Sequence, residues 1–486
     1  MNHSLYSLQP ERLWFYFAEV LKIPRPSKKE EKIIEYLVSF GKKYYLETIL
    51  DEIGNVVIRK PASPGLEHVP SVCLQGHVDM VCEKDAEVIH DFEKDTIQTY
   101  IEDGWLKARG TTLGADNGIA VATMLALLEA KDIVHGPLEC LFTIDEETGL
   151  TGAFGLDPDM LKSRILLNLD SEDDGEFFIG CAGGKDTIIE LPFKKENVPQ
   201  DYKTLRMKVS GLQGGHSGDD IHRNRGNANK ILNRFLWESA RNYGIRVSSF
   251  DGGNLRNAIA REAIGIFLVP ADKMHAVKSY AELYLEDLRF EFRVAEPDLK
   301  IELEEFEKPG FVLSKSTQDQ LLNSLYACPH GVIAWSQDIP GFVETSTNLA
   351  SVKMQNDKIR IATSQRSSVE SAKDDIANMV VAVFKLTDAH TEHTDGYPGW
   401  APNPDSKVLG LCVQSYETLF GKKPVVRAIH AGLECGLIGD KYPGMDMISY
   451  GPTMRGVHSP TERLEISTVE KFWVLTLDLL KRIANH

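Results

Sequence analysis

Between residues 184 and 397 the chain leaves one rhythm of apolar runs for another and then resumes the first, which excludes a single uninterrupted sheet. Before the break, short apolar runs at 69–74, 138–144 and 164–169 are bounded by Gly, Pro or charge, and a helical pattern at 119–130 lies between the first two. Strands alternating with helices predict a wound α/β sheet. Helical patterns at 11–22 and 28–44 precede it, the second opening after Pro26-Ser27 as an N-cap would. After the break, 424–429 and 446–450 are again strand-like, with 434–438 helical between them and 464–483 a closing helix.

Within the break the order is strand, helix, strand, strand, helix, at 204–209, 227–243, 246–250, 262–269 and 274–290. It then repeats, with 300–306, 317–326, strands across 331–354, then 358–364 and 370–384. The expected organisation is an α/β catalytic domain in two segments, 1–183 and 398–486, carrying an inserted α+β domain of two similar halves at 184–397. A chain of 486 residues is long for one core at about 100–200 residues per domain.

The balance of 54 Lys+Arg against 71 Asp+Glu leaves a net charge of -17, so no basic footprint exists for nucleic acid or anionic lipid. The most apolar stretch, 119–128, is about half of the ~20 residues needed to span a bilayer. The start of the chain has no basic region, and the apolar run after it carries Glu19 and Lys22, unlike a signal peptide. A cytoplasmic location is expected. The seven cysteines are scattered without a CxxC pair, which indicates neither a disulfide framework nor a zinc ribbon.

Open α/β sheets place ligand sites beyond the carboxyl ends of their strands, so polar residues just after apolar runs are the informative ones. Those positions hold His77 and Asp79, Asp116 at a helix start, Glu146 and Glu147, Asp170, and His458 after the 446–450 run. Singly, each has a bland explanation: a helix cap, a core histidine, a solvated acidic face. Together, three carboxylates and two imidazoles at one sheet edge repel one another and are costly to desolvate unless cations neutralise them. Imidazole and carboxylate without thiolate suit Zn, with Co or Mn as substitutes, better than Ca or Mg. Five ligands exceed the tetrahedral set of one zinc, but fit two ions that share a bridging carboxylate and activate a water.

The motifs GHVDMV, GADNGIA, DEETGLTGA, LDSED and the late HSPTE, in that order, resemble the M20 metallopeptidase family. GTTLGADNGIA and HAGLECG are similar to its Xaa-His dipeptidase (aminoacyl-histidine, cytosolic non-specific) branch. The resemblance implies a zinc-peptidase-like catalytic domain with a lid. It implies that His77 and Asp170 hold one ion and Glu147 and His458 the other, with Asp116 bridging, Asp79 orienting His77 and Glu146 acting as general base. Adjacent side chains of extended backbone point to opposite sides, which independently favours one ligand and one free base in the Glu146-Glu147 pair. In LQGGHSG, His216 is similar to a residue that stabilises the tetrahedral oxyanion, and Asn257 and Arg366 resemble substrate contacts. GGHSG is not a serine-hydrolase elbow, because His216 separates Gly215 from Ser217. His430 and Glu434 receive no role.

The expected activity is hydrolysis of dipeptides with a free N-terminus, Xaa-His among them, using two zinc ions per chain. The alternative is a deacylase or carboxypeptidase acting on N-blocked substrates. A protein that merely holds metal is disfavoured, since Glu146 is superfluous for that purpose. Dipeptides are the expected partners, without nucleic acid or membrane, and subunit number stays open between a monomer and a homodimer.

Overall fold

The computed structural model describes residues 5–485, so the first four residues of the leader-free start expected above lie outside it. The chain divides into two compact units: Met1–Gly180 with Pro402–Ala428 and Leu433–His486, and Cys181–Ala401 with Ile429–Gly432. Among the described residues no helix is long and apolar enough to cross a membrane.

The first unit is built on an eight-stranded sheet. Its centre is parallel: Leu138–Thr143, Val72–His77, Ile165–Asn168 and Asp446–Ser449 lie side by side in that order. Leu138–Thr143 and Val72–His77 are buried along their whole length, as the near-continuous apolar runs require when both faces are covered. From Val72–His77 the chain passes to one neighbour, Leu138–Thr143, and then to the other, Ile165–Asn168. That reversal is a topological switch point, and the carboxyl ends of these strands open a crevice there.

The helix Ala115–Glu129 is buried on nearly all sides, from Ile119 through Leu128, each large apolar side chain contributing about 1.5–3 kcal/mol. It approaches the central strand closely at Gly76, where a Cβ would stand 2.2 Å from Asn117 Oδ1 and 2.7 Å from Ala120 Cβ. Only glycine allows that approach one residue before His77. The Asp116–Asn117 peptide is cis, and Asp116 itself has non-helical dihedrals.

The second unit carries a nine-stranded sheet. Across it run Lys300–Glu305, Tyr202–Ser210, Ala263–Pro270, Arg246–Gly252, Val343–Gln355, Lys358–Ser367, Gly183–Pro192 and His390–His393. The two halves meet where Arg246–Gly252 pairs Val343–Gln355, and the order mirrors about that line. The order of elements in the sequence places 300–306 at the start of the second half. In the structure Lys300–Glu305 pairs Tyr202–Ser210 and closes the first half, while Gly183–Pro192 opens the second by pairing Lys358–Ser367. The first half is thus inserted within the second, and strand order in the chain cannot reveal that, because pairing is a tertiary choice.

Candidate active site

His77 is the last residue of its strand, and Asp79 follows after the chain has turned out of the sheet. Two buried guanidinium hydrogen bonds fix this turn: Arg25 Nη1 donates to the carbonyls of Val78 (2.9 Å) and Asp79 (2.7 Å). Nη2 of the same residue donates to the carbonyl of Gly114, tying the turn to the loop before Asp116. Gly114 has φ 70°, and a Cβ there would meet the Arg25 guanidinium at 2.6 Å. From the other side Glu462 accepts the backbone N–H groups of Leu113 (2.7 Å), Gly114 (3.0 Å) and Ala115 (2.8 Å). Asp116 is therefore presented from a clamped loop.

Asp79 Oδ1 lies 3.2 Å from His77 Nδ1, which fixes the ring with Nε2 directed into the crevice. The Asp79 carboxylate also accepts Ser27 Oγ (2.8 Å) and the backbone N–H groups of Glu146 (3.1 Å) and Glu147 (3.2 Å). Burial raises its pKa, but the bonds from His77, Ser27 and the backbone win and hold it at about 2. One carboxylate thereby couples the end of the central strand to the two glutamates.

Glu146 and Glu147 do not stand in extended backbone, contrary to the sequence-based expectation. Asp145 has φ 48°, and Glu146–Gly149 is a single helical turn. Thr148 and Thr151 hydroxyls bind the Asp145 carboxylate and hold that left-handed residue in place. The two carboxylates are therefore not set on opposite sides: each brings an oxygen within 4.8 Å of the other and of His77, and what distinguishes them is that Glu147 meets His458.

Five side chains converge. His77 Nε2 is 3.1 Å from Asp116 Oδ1 and 3.4 Å from Asp170 Oδ1. His458 Nε2 is 3.2 Å from Asp116 Oδ2 and 3.0 Å from Glu147 Oε2. Two groups, His77–Asp116–Asp170 and Asp116–Glu147–His458, each bring their ligand atoms within 4.8 Å of one another and share Asp116. A third such group joins His77 with Glu146 and Glu147. Oε1 of Glu147 is buried without a hydrogen-bond partner among the described residues. His458 adopts φ 61°, a left-handed conformation that costs a non-glycine residue about 1–2 kcal/mol and places its ring against both acids. Three carboxylates on two Nε2 atoms, with an orphaned oxygen among them, fit a pair of divalent cations.

The excess of negative charge shifts the ionisation of the site. Burial works against a charged His77, yet Asp170, Asp116 and Asp79 outweigh it and raise its pKa well above the ordinary value. His458 is pushed up to about 11 by its bonds to Asp116 and Glu147. Burial pushes Asp170 up to about 6 and Glu146 well above the carboxylate range, with neighbouring acids adding to both.

The second unit holds the remaining candidates. His216 Nδ1 accepts the backbone N–H groups of Gly218 (3.3 Å) and Asp219 (3.2 Å), so in the neutral ring Nε2 bears the proton and is a donor. Arg366 is 8% exposed; its Nη1 donates to Tyr397 Oη (3.0 Å), and its Nε is buried without a partner. His430 accompanies them, with Nε2 2.7 Å from Ser346 Oγ and Nδ1 orphaned. Burial, aided by Arg366, lowers His430 to about 3, so it is neutral at physiological pH. Asn257 is brought near His216 through its carbonyl, which accepts the N–H of Ser217 (2.8 Å), while its side chain is on the exposed surface.

Arg25, Ser27 and Glu462 escaped the sequence reading. Glu462 carried a signal, lying four residues after His458 in HSPTE, whereas Arg25 acts through backbone carbonyls and leaves no pattern.

A model described as peptidase family M20/M25/M40 matches residues 73–482. The chain is 45% identical over 480 residues to the cytosol non-specific dipeptidase of Escherichia coli (strain K12), covering 99% of each. The crystal structure of aminoacylhistidine dipeptidase from Vibrio alginolyticus is similar over 98% of both chains, with a TM-score of 0.94 and 42% identity. Aminopeptidase PepT from Bacillus cereus ATCC 10987, at 16% identity, a TM-score of 0.57 and coverage of 98% of this chain and 99% of its own, shares the fold alone. With the family match spanning most of the sequence and the dipeptidase relative nearly all of it, the chain belongs to peptidase family M20/M25/M40 and is a peptide hydrolase.

Proposed function

We propose that this protein hydrolyses dipeptides with a free N-terminus, Xaa-His among them, at a centre of two zinc-type ions, with Glu146 as general base. The observation that carries the reading is the sharing of Asp116 between two three-residue groups, each with one imidazole and one further carboxylate. Similarity to the Escherichia coli and Vibrio alginolyticus dipeptidases supports the substrate class, and the name of the former supports a cytosolic location.

His77 and Asp170 would hold one ion, Glu147 and His458 the other, and Asp116 both. Bound there, such ions would supply Lewis-acid polarisation of the scissile carbonyl and would lower the pKa of a water from ~15.7 towards ~7. Asp116, Asp170 and Glu147 are each ion-paired to an imidazole. Glu146 has no such pair among the described residues, which leaves its carboxylate to take the water proton and pass it to the departing amine. Asp79 keeps the proton of His77 on Nδ1. His216 supplies an Nε2–H donor suited to an oxyanion, Arg366 a guanidinium suited to the substrate carboxylate, and Asn257 a further substrate contact.

Turnover of a free dipeptide by the metal-loaded protein, compared with its N-acetylated form, tests this reading. Cleavage of the acetylated form alone would replace it with the deacylase alternative. Asp79→Asn should weaken both metal affinity and turnover by about 10- to 100-fold, as losses of ligand-orienting partners do, and metal titration beside kinetics measures both. Arg366→Ala should raise KM for dipeptides by about 10- to 100-fold, the worth of a charge-assisted hydrogen bond, with kcat much less affected. An unchanged KM would remove Arg366 from the carboxylate site.

A further inference from the structure

Glu434 is a buried acid for which the reaction above has no use. It begins the helix Glu434–Lys441 in the first unit, and its side chain is fully buried. It belongs to neither ligand group. One oxygen is firmly held: Oε2 accepts Gln75 Nε2 (2.6 Å) and Thr143 Oγ1 (2.9 Å). Gln75 is itself fixed, because its Oε1 accepts Asn168 Nδ2 (2.6 Å) and its Nε2 also donates to Thr143 Oγ1 (3.1 Å). The other oxygen, Oε1, is buried with no hydrogen-bond partner among the described residues. Protonation does not repair this, since an ionised Oε1 lacks a donor and a protonated one lacks an acceptor.

The position of this orphan is informative. Thr143 is in register with His77 across the parallel pair, and Gln75 lies two residues before His77 on the central strand. Glu434 is thus anchored to the carboxyl ends of the two strands that deliver His77 and Glu146. Its charge is felt by Glu146, and it in turn feels His77 and Asp170. Burial, with Asp170 adding, pushes it up to about 7, so a cation arriving beside it would restore its charge.

A buried acceptor with no protein donor, set beside the reacting groups, is suited to a donor that arrives with the substrate. A dipeptide with a neutral side chain brings one cation, its α-ammonium, two bonds from the carbonyl carbon that must face Glu146. We propose that Glu434 Oε1 receives the free α-ammonium of the substrate and makes this site select for peptides with an unblocked N-terminus. The inference rests on the dipeptidase reading and adds the residue that enforces it.

The test uses the metal-loaded full chain and two substrates of equal shape, alanyl-histidine and propionyl-histidine, the second lacking only the amine. Wild type should strongly prefer alanyl-histidine. Glu434→Gln keeps the shape and removes the charge, and should lower kcat/KM for alanyl-histidine on the order of 100-fold, the cost of unpairing a buried charge, while leaving that for propionyl-histidine unchanged. Loss of the two activities in equal proportion would show that Glu434 acts on the metal centre or the fold, and would overturn the proposal. So would a wild-type preference that survives in the variant. Elemental analysis and a melting curve check that Glu434→Gln is folded and loaded. Should it fold poorly, Glu434→Asp serves, with a reduced preference expected and an unreduced one contradicting. Wild type that cleaves both substrates equally sinks the inference alone, and wild type that cleaves neither sinks the dipeptidase reading beneath it.

Discussion

Glu146→Gln is expected to lower dipeptide turnover by about 10²- to 10⁴-fold, the usual contribution of a general base, while metal content stays at the wild-type level. Glu147 engages His458 at 3.0 Å and Asp170 faces His77 at 3.4 Å, whereas Glu146 has no imidazole of its own among the described residues. Its amide is nevertheless held by Asp79, so the glutamine should occupy the same place. Elemental analysis beside steady-state kinetics separates the outcomes. Metal loss in Glu146→Gln with metal retention in Glu147→Gln would mean that the two glutamates exchange roles.

Asp116→Ala is expected to have a still larger effect, emptying both sites and abolishing turnover. Its two oxygens face different histidines, Oδ1 towards His77 at 3.1 Å and Oδ2 towards His458 at 3.2 Å, so no other single substitution touches both groups. Glu147→Ala and His458→Ala should each weaken one ion chiefly. Titration of each variant with zinc reads the difference, and an Asp116→Ala protein that still binds one ion tightly would refute the bridging role.

Much of this site is visible in the sequence for a physical reason. Ligand-bearing residues sit at the ends of buried strands, and a strand such as Val72–His77 is a run of apolar residues that ends where its polar residue begins. The helix Ala115–Glu129 is legible in the same way, since its burial leaves an unbroken apolar stretch. What the sequence conceals is partner choice. That Lys300–Glu305 closes the first half of the inserted domain depends on pairing with Tyr202–Ser210, and the composition of a strand does not name its partner. The helical turn at Glu146 depends on Asp145 being held left-handed by two threonines, which no periodicity announces. Arg25 and Glu462 bind backbone groups, so their roles exist only once the loops they clamp have been folded.

The measurement that bears most directly on the two-ion dipeptidase is a zinc titration of metal-stripped protein, followed by calorimetry and by hydrolysis of alanyl-histidine in parallel. Two equivalents per chain should bind, and full activity should require both. Full dipeptidase activity at one equivalent, with no second binding event, would contradict the account.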